Sequence, residues 1–453
     1  MMALTRRSFL AAASSAASLD AATRPPNVIL MMADDLGYAD ISSYGATDIR
    51  TPHIDAIGKQ GVRFARAYCN APECTPSRTA LLTGRYQQRV GGMECAIGVG
   101  NVGRYDEAEW LAERENLGLP QDEFTVARVL KWRGYDTACF GKWHLGYLDK
   151  FSPNKHGFDD YFGVLGGNAD YHTHTEQDGT NVLSLDGKPV RREGYLTDLI
   201  GTSAVNWLKT RAWKKNPFFL YVPFTAPHSP YQGRKDREGG YAKKPSRKTY
   251  AEMVEAMDQQ VGAIMAQLNE MKKVAANTWV IFLSDNGGTQ VGSNKPFRGS
   301  KSSLWEGGIR TPCLMRWPGR FRPGSETRQV SLMMDITASI LAAANVRMPQ
   351  NRRLDGLNLL PIWQGRRNLA PRTVYWRYRR AANTRKAVLD GDWKYVWDNG
   401  KEELHNLAED MVEQNNRLTA EPGITAELKR LLARWEDDVR APRLKDFYSR
   451  GKA

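Results

Sequence analysis

Two short apolar runs of the sequence each end in acidic or amide side chains. Asp34 and Asp35 follow one run, and Asp285 and Asn286 follow the other. Adjacent carboxylates repel one another and stay ionised at low cost only in water or near a cation. Oxygen ligands favour calcium or magnesium over zinc. The two pairs together predict a shared cation, whereas either pair alone would more simply predict a helix cap or a turn.

A cysteine stands at a predicted helix start. Pro76 follows two residues after Cys74, and Arg78 comes one turn later. Proline is common in the first turn of a helix, so Cys74 is expected at the N-terminus. That end of a helix is electropositive and suits an anion. The pattern by itself is equally typical of a thiol with a low pKa.

Alternating strands and helices must position these residues. Apolar residues spaced by three and four predict one helix over residues 250–272. The alternation predicts an α/β fold with a large, mostly parallel, mixed sheet flanked by helices. Ligands bind beyond the carboxyl ends of the strands in such sheets. The predicted strands are 27–33, 137–140, 218–222, 278–284 and 311–315.

The character of the sequence changes in its last quarter. Aromatic runs at 373–376 and 393–397 predict short antiparallel strands, and a charged helix is predicted over 425–440. We therefore expect a large α/β domain over residues 25–347. A smaller C-terminal α+β subdomain with an antiparallel sheet is expected over 348–453.

The first residues resemble a bacterial twin-arginine export signal. Arg6 and Arg7 precede Phe9 and Leu10, and an Ala/Ser-rich stretch follows. This stretch is too short and too polar for a lasting membrane anchor. We expect residues 1–22 to engage the twin-arginine export machinery, which would make the protein periplasmic or secreted. The alternative is an unrelated tail that carries two arginines by chance.

The chain of 453 residues has an excess of basic side chains. Lys and Arg number 64 against 50 Asp and Glu, which gives a formal net charge of +14. This charge favours anionic partners such as nucleic acid, an anionic membrane or a sulfated polymer. The basic clusters are short and scattered, and neither zinc-finger spacing nor an RNA-binding signature is present. We therefore expect no nucleic acid partner.

The cysteines do not predict a disulfide scaffold. There are five, an odd and small number for this length. Cys139 and Cys313 lie in apolar runs and are predicted to be buried. Cys69 and Cys95 could pair, but the sequence does not require it.

Five segments, in order along the chain, resemble the type I sulfatases of the alkaline phosphatase superfamily. The resemblance runs from about Pro26 into the C-terminal region. Its departures are small, since Ala39 and His53 stand where the family more often has Gly and Asn. The matching segments are residues 26–38, the Cys-x-Pro-x-Arg motif at 74–78, and residues 141–146, 285–287 and 299–308.

The resemblance implies a complete active site. A separate formylglycine-generating enzyme would convert Cys74 to formylglycine. The substrate would be a sulfated carbohydrate or an aryl sulfate. One calcium ion (Ca2+) would be bound by Asp34, Asp35, Asp285, Asn286 and the modified Cys74. The sulfate would be surrounded by Arg78, Lys142, His144, His228 and Lys301.

The resemblance also implies a role for each group. One hydroxyl of hydrated formylglycine would attack sulfur, assisted by the metal and a carboxylate. The lysines, Arg78 and the metal would stabilise charge on the sulfuryl oxygens. Lys301 or His228 would protonate the departing alcohol. The second hydroxyl, deprotonated by His144, would then expel sulfate.

Two other functions fit parts of the pattern. A phosphatase or phosphodiesterase of the same superfamily would mostly use Ser or Thr with two zinc ions, but Asn286 stands where such an enzyme needs a histidine. The other alternative is an unmodified, inactive protein that binds sulfated glycans through a basic cleft. His172 and His174 are expected on a loop beside the site, either in contact with substrate or simply at the surface.

Overall fold

The computed structural model describes residues 24–237, 240–350 and 352–450, so the predicted export signal over 1–22 lies outside the described residues. Sixteen strands lie in this part of the chain. They are β1 Asn27–Ala33, β2 Val62–Phe64, β3 Ala67–Tyr68, β4 Asp136–Phe140, β5 Asp160–Val164, β6 Leu183–Leu185, β7 Lys188–Pro189, β8 Phe218–Pro223, β9 Thr278–Ser284, β10 Cys313–Arg316, β11 Ser325–Thr327, β12 Ser331–Leu332, β13 Thr373–Arg380, β14 Asn383–Asp390, β15 Trp393–Asp398 and β16 Lys401–Asn406.

Twelve α-helices lie in the same described ranges. They are α1 Pro52–Lys59, α2 Cys74–Thr83, α3 Asp106–Ala112, α4 Val126–Trp132, α5 Leu196–Arg211, α6 Arg247–Glu270, α7 Lys272–Ala275, α8 Glu306–Ile309, α9 Met333–Ala343, α10 Leu360–Trp363, α11 Pro422–Asp438 and α12 Lys445–Arg450. Short 3-10 turns are Ser42–Tyr44, Gln87–Arg89, Val99–Asn101, Asp149–Phe151, Pro153–His156, Gly240–Ala242 and Pro442–Leu444. None of the described helices is both long and apolar enough to cross a bilayer.

The main sheet has ten strands in the order β11-β2-β10-β9-β1-β8-β4-β5-β6-β7. Its centre, from β9 to β5, is parallel. β10 is antiparallel to β9 and to β2, and β6 and β7 form an antiparallel edge. This is the mixed, mostly parallel sheet that the sequence predicts, so the predicted fold class is confirmed.

The central strands are recognisable in the sequence because both of their faces are covered. Six of the seven residues of β1 and all seven of β9 are buried, which explains their nearly continuous apolar runs. Helix α6 begins three residues before its predicted start because the Ser246 hydroxyl accepts the Thr249 N–H at 3.1 Å and caps it. β10 begins two residues late because the Thr311 N–H donates to the Ala67 carbonyl oxygen at 3.0 Å.

The C-terminal sheet has the order β13-β14-β15-β16 and is antiparallel throughout. It packs onto the main body through β13. The Trp376 indole is buried and its N–H donates to the Cys69 carbonyl oxygen at 2.8 Å. One apolar cluster contains both Trp376 and Leu81 of α2. The C-terminal sheet therefore shares a core with the α/β part, and the expected boundary at 347/348 stays a prediction.

All five cysteines are buried and unpaired. The predicted burial of Cys139 and Cys313 is confirmed, and Cys69 and Cys95 do not form a disulfide. The fold is therefore held together without covalent cross-links among these thiols.

A buried ion triad joins the C-terminal sheet to the segment that contains α8. The Lys394 ammonium donates to Glu306 Oε1 at 2.9 Å and to Glu413 Oε1 at 2.8 Å, and all three side chains are excluded from solvent. The second Glu413 oxygen accepts the Glu306 backbone N–H at 2.6 Å. Buried carboxylates without a counter-charge are costly, so Lys394 fixes β15 against α8.

We expect Lys394→Met to lower the free energy of unfolding by about 3–5 kcal/mol, because it leaves the buried Glu413 carboxylate without a partner cation among the described residues and leaves Glu306 with Arg310 alone. The matched control is Lys401→Met in the same sheet, whose side chain is exposed. It should change stability by less than about 0.5 kcal/mol. Urea denaturation of both variants measures the difference, and equal effects would contradict the role given to the triad.

Candidate active site

The two predicted acid and amide pairs lie side by side at the carboxyl ends of β1 and β9. Ala33 and Ser284, the last residues of these strands, are partners in the sheet register. The Asp35 backbone N–H donates to Asp285 Oδ1 at 3.2 Å. The Asn286 amide donates to Asp35 Oδ1 at 2.8 Å. The structure thus brings all four predicted metal ligands of the two strands into one cluster.

Cys74 is the first residue of α2 and its thiol points into this cluster. Its Sγ lies 3.3 Å from Asp34 Oδ1 and 3.3 Å from the Lys142 ammonium. The Lys301 ammonium lies 3.7 Å away. The sulfur atom therefore sits where a carboxylate, two ammonium groups and a helix N-terminus meet, a setting suited to an anionic ligand.

Arg78 lies one turn further along α2 and is fully buried. Its Nε and Nη2 donate to Asp285 Oδ2 at 3.0 and 2.8 Å, and Nη1 donates to the Lys142 carbonyl oxygen at 2.8 Å. Asp34 Oδ1 lies 3.6 Å from Nη2. The guanidinium thus connects the helix, the end of β9 and the loop after β4.

Two lysines neutralise the carboxylates that follow β1. The Lys142 ammonium lies 2.6 Å from Asp34 Oδ2. The Lys301 ammonium lies 2.7 Å from Asp35 Oδ1 and 2.8 Å from Oδ2. Together with Arg78, they place three cations against the three carboxylates of the site.

Burial and pairing with cations shift the pKa values of the carboxylates in opposite directions. Burial raises the pKa of Asp34 well above its usual value, and the adjacent Cys74 sulfur adds to this more than Lys142 reverses it. Burial also tends to raise the pKa of Asp35 and of Asp285, but Lys301 and Arg78 respectively hold both below the usual range. Asp35 and Asp285 are therefore ionised at neutral pH.

His144 occupies a turn with positive φ of 57° after Lys142. Its Nε2 lies 2.9 Å from the Ile97 carbonyl oxygen, so Nε2 carries the proton. Nδ1 is buried and has no hydrogen-bond partner in the described part of the chain. Burial lowers the pKa of the ring well below its usual value, and Lys142 lowers it further. His144 is thus a neutral imidazole with an unused lone pair.

His228 lies beyond the end of β8 on the other side of the cluster. Its Nδ1 is 2.7 Å from the Ser229 carbonyl oxygen, and its Nε2 is 3.6 Å from Asp35 Oδ2. Burial lowers its pKa, and the Lys301 charge acts in the same direction. Nε2 therefore faces the carboxylates as the free ring nitrogen.

The oxygen donors of the cluster, from Asp34, Asp35, Asp285 and Asn286, fit a hard cation, whereas the Cys74 sulfur and the His228 nitrogen do not contribute to that preference. Asp34, Asp35, Cys74 and His228 can bring one ligand atom each to within 4.8 Å of one another. The Asn286 Oδ1 atom is buried and accepts no hydrogen bond from a described residue, as expected of a carbonyl oxygen reserved for a ligand. Asp285 accepts bonds from Arg78 and Asp35 at its two oxygens, so it would share its charge between them and a metal.

A cavity of about 200 Å³ opens above Cys74. His144, His228 and Lys301 of the predicted site line it. No pattern in the sequence indicated its other walls, which combine polar and apolar groups. These further lining residues are Glu73, Ala96, Ile97, Val99, Arg104, Tyr147, Gly167, Asn168 and Arg380.

Glu73, which the sequence did not single out, accepts four hydrogen bonds at the site. Its Oε1 accepts hydrogen bonds from Ser302, Tyr378 and Arg380 at 2.8–2.9 Å, and Oε2 accepts the Ala96 N–H at 2.8 Å. In the sequence, only its position next to Cys74 could have indicated that Glu73 belongs to the site. A carboxylate beside a helix start is most simply interpreted as a helix cap, and the hydrogen-bond partners of Glu73 are distant in the sequence.

The remaining predicted histidines do not line the cavity. His172 Nε2 is 3.2 Å from the Gly233 carbonyl oxygen, and His174 Nε2 is 3.0 Å from that of Gly194. His174 is buried. Both rings therefore tie loops together, and of the two alternatives left open by the sequence the substrate contact has no support in their positions.

Thr75 is a second missed residue and it positions His144. Its hydroxyl donates to the His144 carbonyl oxygen at 2.9 Å and accepts the Ile97 N–H at 3.2 Å. We expect Thr75→Val to lower the free energy of unfolding by about 1–3 kcal/mol, because it leaves two buried backbone groups unpaired.

The matched control for Thr75→Val is Thr83→Val on the same helix. In the described part of the chain, the Thr83 hydroxyl donates only to the Thr79 carbonyl oxygen of the same helix, at 2.7 Å. Thr83→Val should therefore lower the free energy of unfolding by less than Thr75→Val does. Urea denaturation of both variants compares them, and a larger loss for Thr83→Val would contradict the bracing role of Thr75.

Comparison with known proteins identifies the family. The family model described as Sulfatase matches residues 26–346, and the one described as N-sulphoglucosamine sulphohydrolase, C-terminal, matches residues 299–438. The chain is 34% identical over 406 residues to the N-acetylgalactosamine-6-sulfatase of Sus scrofa, covering 84% of this chain and 74% of that protein. It is 30% identical over 490 residues to a sulfatase of Formosa agariphila, covering 90% and 87%.

A solved structure agrees with these relatives. The structure of Ps i-CgsB in complex with k-i-k-neocarrahexaose superimposes with a TM-score of 0.83 at 32% identity, over 92% of this chain and 94% of that one. Since the first family model covers most of the chain and the two relatives align along most of their own length, this protein belongs to the sulfatase family and is a sulfuric ester hydrolase.

Proposed function

We propose that this sulfatase removes sulfate from a sulfated carbohydrate by means of formylglycine at position 74 and one bound Ca2+. The observation that carries the proposal is the position of Cys74. It begins a helix within 3.3–3.7 Å of Asp34, Lys142 and Lys301, at the base of an open cavity. The sugar substrate is supported by the name of the Sus scrofa relative and by the oligosaccharide bound to Ps i-CgsB.

Hydrated formylglycine supplies a hydroxyl nucleophile, and Ca2+ supplies positive charge for the sulfate oxygens. Asp34, Asp35, Asp285 and Asn286 would hold the metal together with residue 74. The oxygen-rich donor set and the unbonded Asn286 Oδ1 support this choice over zinc. The protein residues around the metal then bind, orient and transfer protons.

The cations of the site stabilise charge on the sulfate. Lys142, Lys301 and Arg78 are held by buried carboxylates, so their charges are already oriented before substrate arrives. Preorganised charge of this kind needs little rearrangement during the reaction. The site is therefore built for a group that becomes more anionic at its oxygens.

One side of the site accepts a proton and the opposite side donates one. His144 has its Nε2 proton held by Ile97 and its Nδ1 lone pair unused, which makes it the base for the residue 74 hydroxyl during sulfate release. The departing alcohol takes its proton from the Lys301 ammonium, or from His228 after its free Nε2 has first taken up a proton. Burial and the Asp35 carboxylate act in opposite directions on Lys301, and the carboxylate raises its pKa well above the usual value.

Two partners complete the proposal. A formylglycine-generating enzyme would modify Cys74, and the twin-arginine export machinery would act on the segment with Arg6 and Arg7. Location in the periplasm or outside the cell is compatible with the bacterial relative from Formosa agariphila. Modification would precede export, because this route carries folded proteins.

The first test replaces the nucleophile. Cys74→Ser supplies one hydroxyl in place of two on the same carbon, so it should turn over at most about once and retain a covalent sulfate ester on the serine. Cys74→Ala, with no hydroxyl, is the matched control and should gain no mass. Intact-mass measurement after incubation with a sulfated saccharide checks both. Multiple turnovers of Cys74→Ser near the parent rate would refute formylglycine as the catalytic device.

The second test removes the metal. Chelation should lower activity by about 100-fold or more, since a group that stabilises the transition state is lost. Added Ca2+ should restore it, whereas Zn2+ should not. Asn286→Ala should raise the Ca2+ concentration needed for recovery, because it deletes an oxygen ligand. Full activity after metal removal verified by elemental analysis would contradict the calcium site, and recovery with Zn2+ alone would favour a zinc enzyme.

A further inference from the structure

Arg104, on the wall of the active-site cavity, has no partner for its charge among the residues that the structure describes. It lines the cavity together with Cys74 and Lys301. Its carbonyl oxygen accepts the Ala381 N–H at 2.5 Å. Within residues 24–237, 240–350 and 352–450, however, its guanidinium donates no hydrogen bond and forms no ion pair. The side chain is half-buried, so this charge is only partly hydrated.

The carboxylates near this wall are already engaged. Glu73 is paired with Arg380 at 2.8 Å and accepts three further hydrogen bonds. Glu176 accepts the hydroxyl of Tyr147 at 2.6 Å. The lysines at the base of the cavity are likewise paired with Asp34 and Asp35. Arg104 thus differs from these cations in having five N–H donors available.

The loop that carries Arg104 is firmly held. Gly98 and Val102 exchange two backbone hydrogen bonds, at 2.8 and 3.2 Å. The preceding residue, Ile97, accepts the His144 ring proton, so the loop is braced against the catalytic base. A Cβ at Gly98 would lie 3.1 Å from Arg104 Nε, so glycine leaves room for the guanidinium. A side chain on such a loop loses little freedom when it binds a ligand.

A guanidinium matches the paired oxygens of a sulfate or carboxylate group. We propose that Arg104 binds a second anionic group of the substrate, a sulfate or carboxylate near the scissile sulfate ester, so that the preferred substrates are saccharides with two adjacent anionic groups. This inference rests on the proposed function of a glycan sulfatase. It assigns Arg104 to substrate selection and gives it no part in the chemical step.

The test compares Arg104→Gln with the parent enzyme on three matched saccharides. One carries a single sulfate, one carries a second sulfate on the same sugar, and one has a neighbouring uronic acid. The parent should prefer a doubly anionic substrate. Arg104→Gln should lower kcat/KM on that substrate at least about tenfold more than on the singly sulfated one, the loss expected of a charge-assisted hydrogen bond. The preferred member of the pair identifies sulfate or carboxylate.

The control is Arg133→Gln, which removes the same charge at an exposed position outside the cavity. It should leave the substrate preference unchanged. Equal losses on all three saccharides for Arg104→Gln, or a parent enzyme without preference for two anionic groups, would overturn the inference alone. If the parent hydrolyses none of the saccharides but cleaves 4-nitrophenyl sulfate, the sugar substrate itself is wrong and the inference falls with it.

Discussion

Three carboxylates are buried at the ends of two neighbouring strands, and the compensation of their charge is the constraint on which the rest of the site depends. Asp34, Asp35 and Asp285 are each almost completely buried. Burying an ion without a partner costs several kcal/mol. The compensating charges of Arg78 and the two site lysines come from three separate segments, so helix α2, the loop after β4 and the turn before α8 must all be in place together.

Strained backbone accompanies this arrangement. Asp35, His144 and Ser302 have positive φ values of 65°, 57° and 71°, which residues other than glycine rarely adopt. Such conformations cost on the order of 1–3 kcal/mol each and persist where surrounding contacts over-determine them. Here the surrounding contacts are the hydrogen bonds and ion pairs of the site. The strained conformations therefore occur where several short turns converge on the same small site.

Different parts of the fold form the base and the outer wall of the cavity. The base of the cavity is formed at the ends of main-sheet strands, whereas Arg104 and Arg380 come from a loop and from β13. Glu73 links the two, because it precedes Cys74 and binds Tyr378 and Arg380 of the C-terminal sheet. One buried carboxylate therefore joins the two parts of the fold at the cavity.

The sequence by itself determined the central strands and the residues that follow them. Runs such as 27–33 and 278–284 are nearly continuous in apolar residues because both faces of β1 and β9 are buried, and the acids after them were identifiable for that reason. The Cys74 helix start was likewise predicted from Pro76. These features are local, and each depends on a few consecutive residues.

Only the tertiary structure decided which distant side chains share the cavity. Glu73 and Arg380 bond to each other although they lie 307 residues apart in the chain, and no periodicity marks such a contact. Arg104 and Arg380 look alike in the sequence. Arg380 is nevertheless paired with Glu73, whereas the Arg104 guanidinium has no partner among the described residues. Whether a charge is satisfied depends on the folded positions of all its neighbours, and that is information which spacing along a chain does not contain.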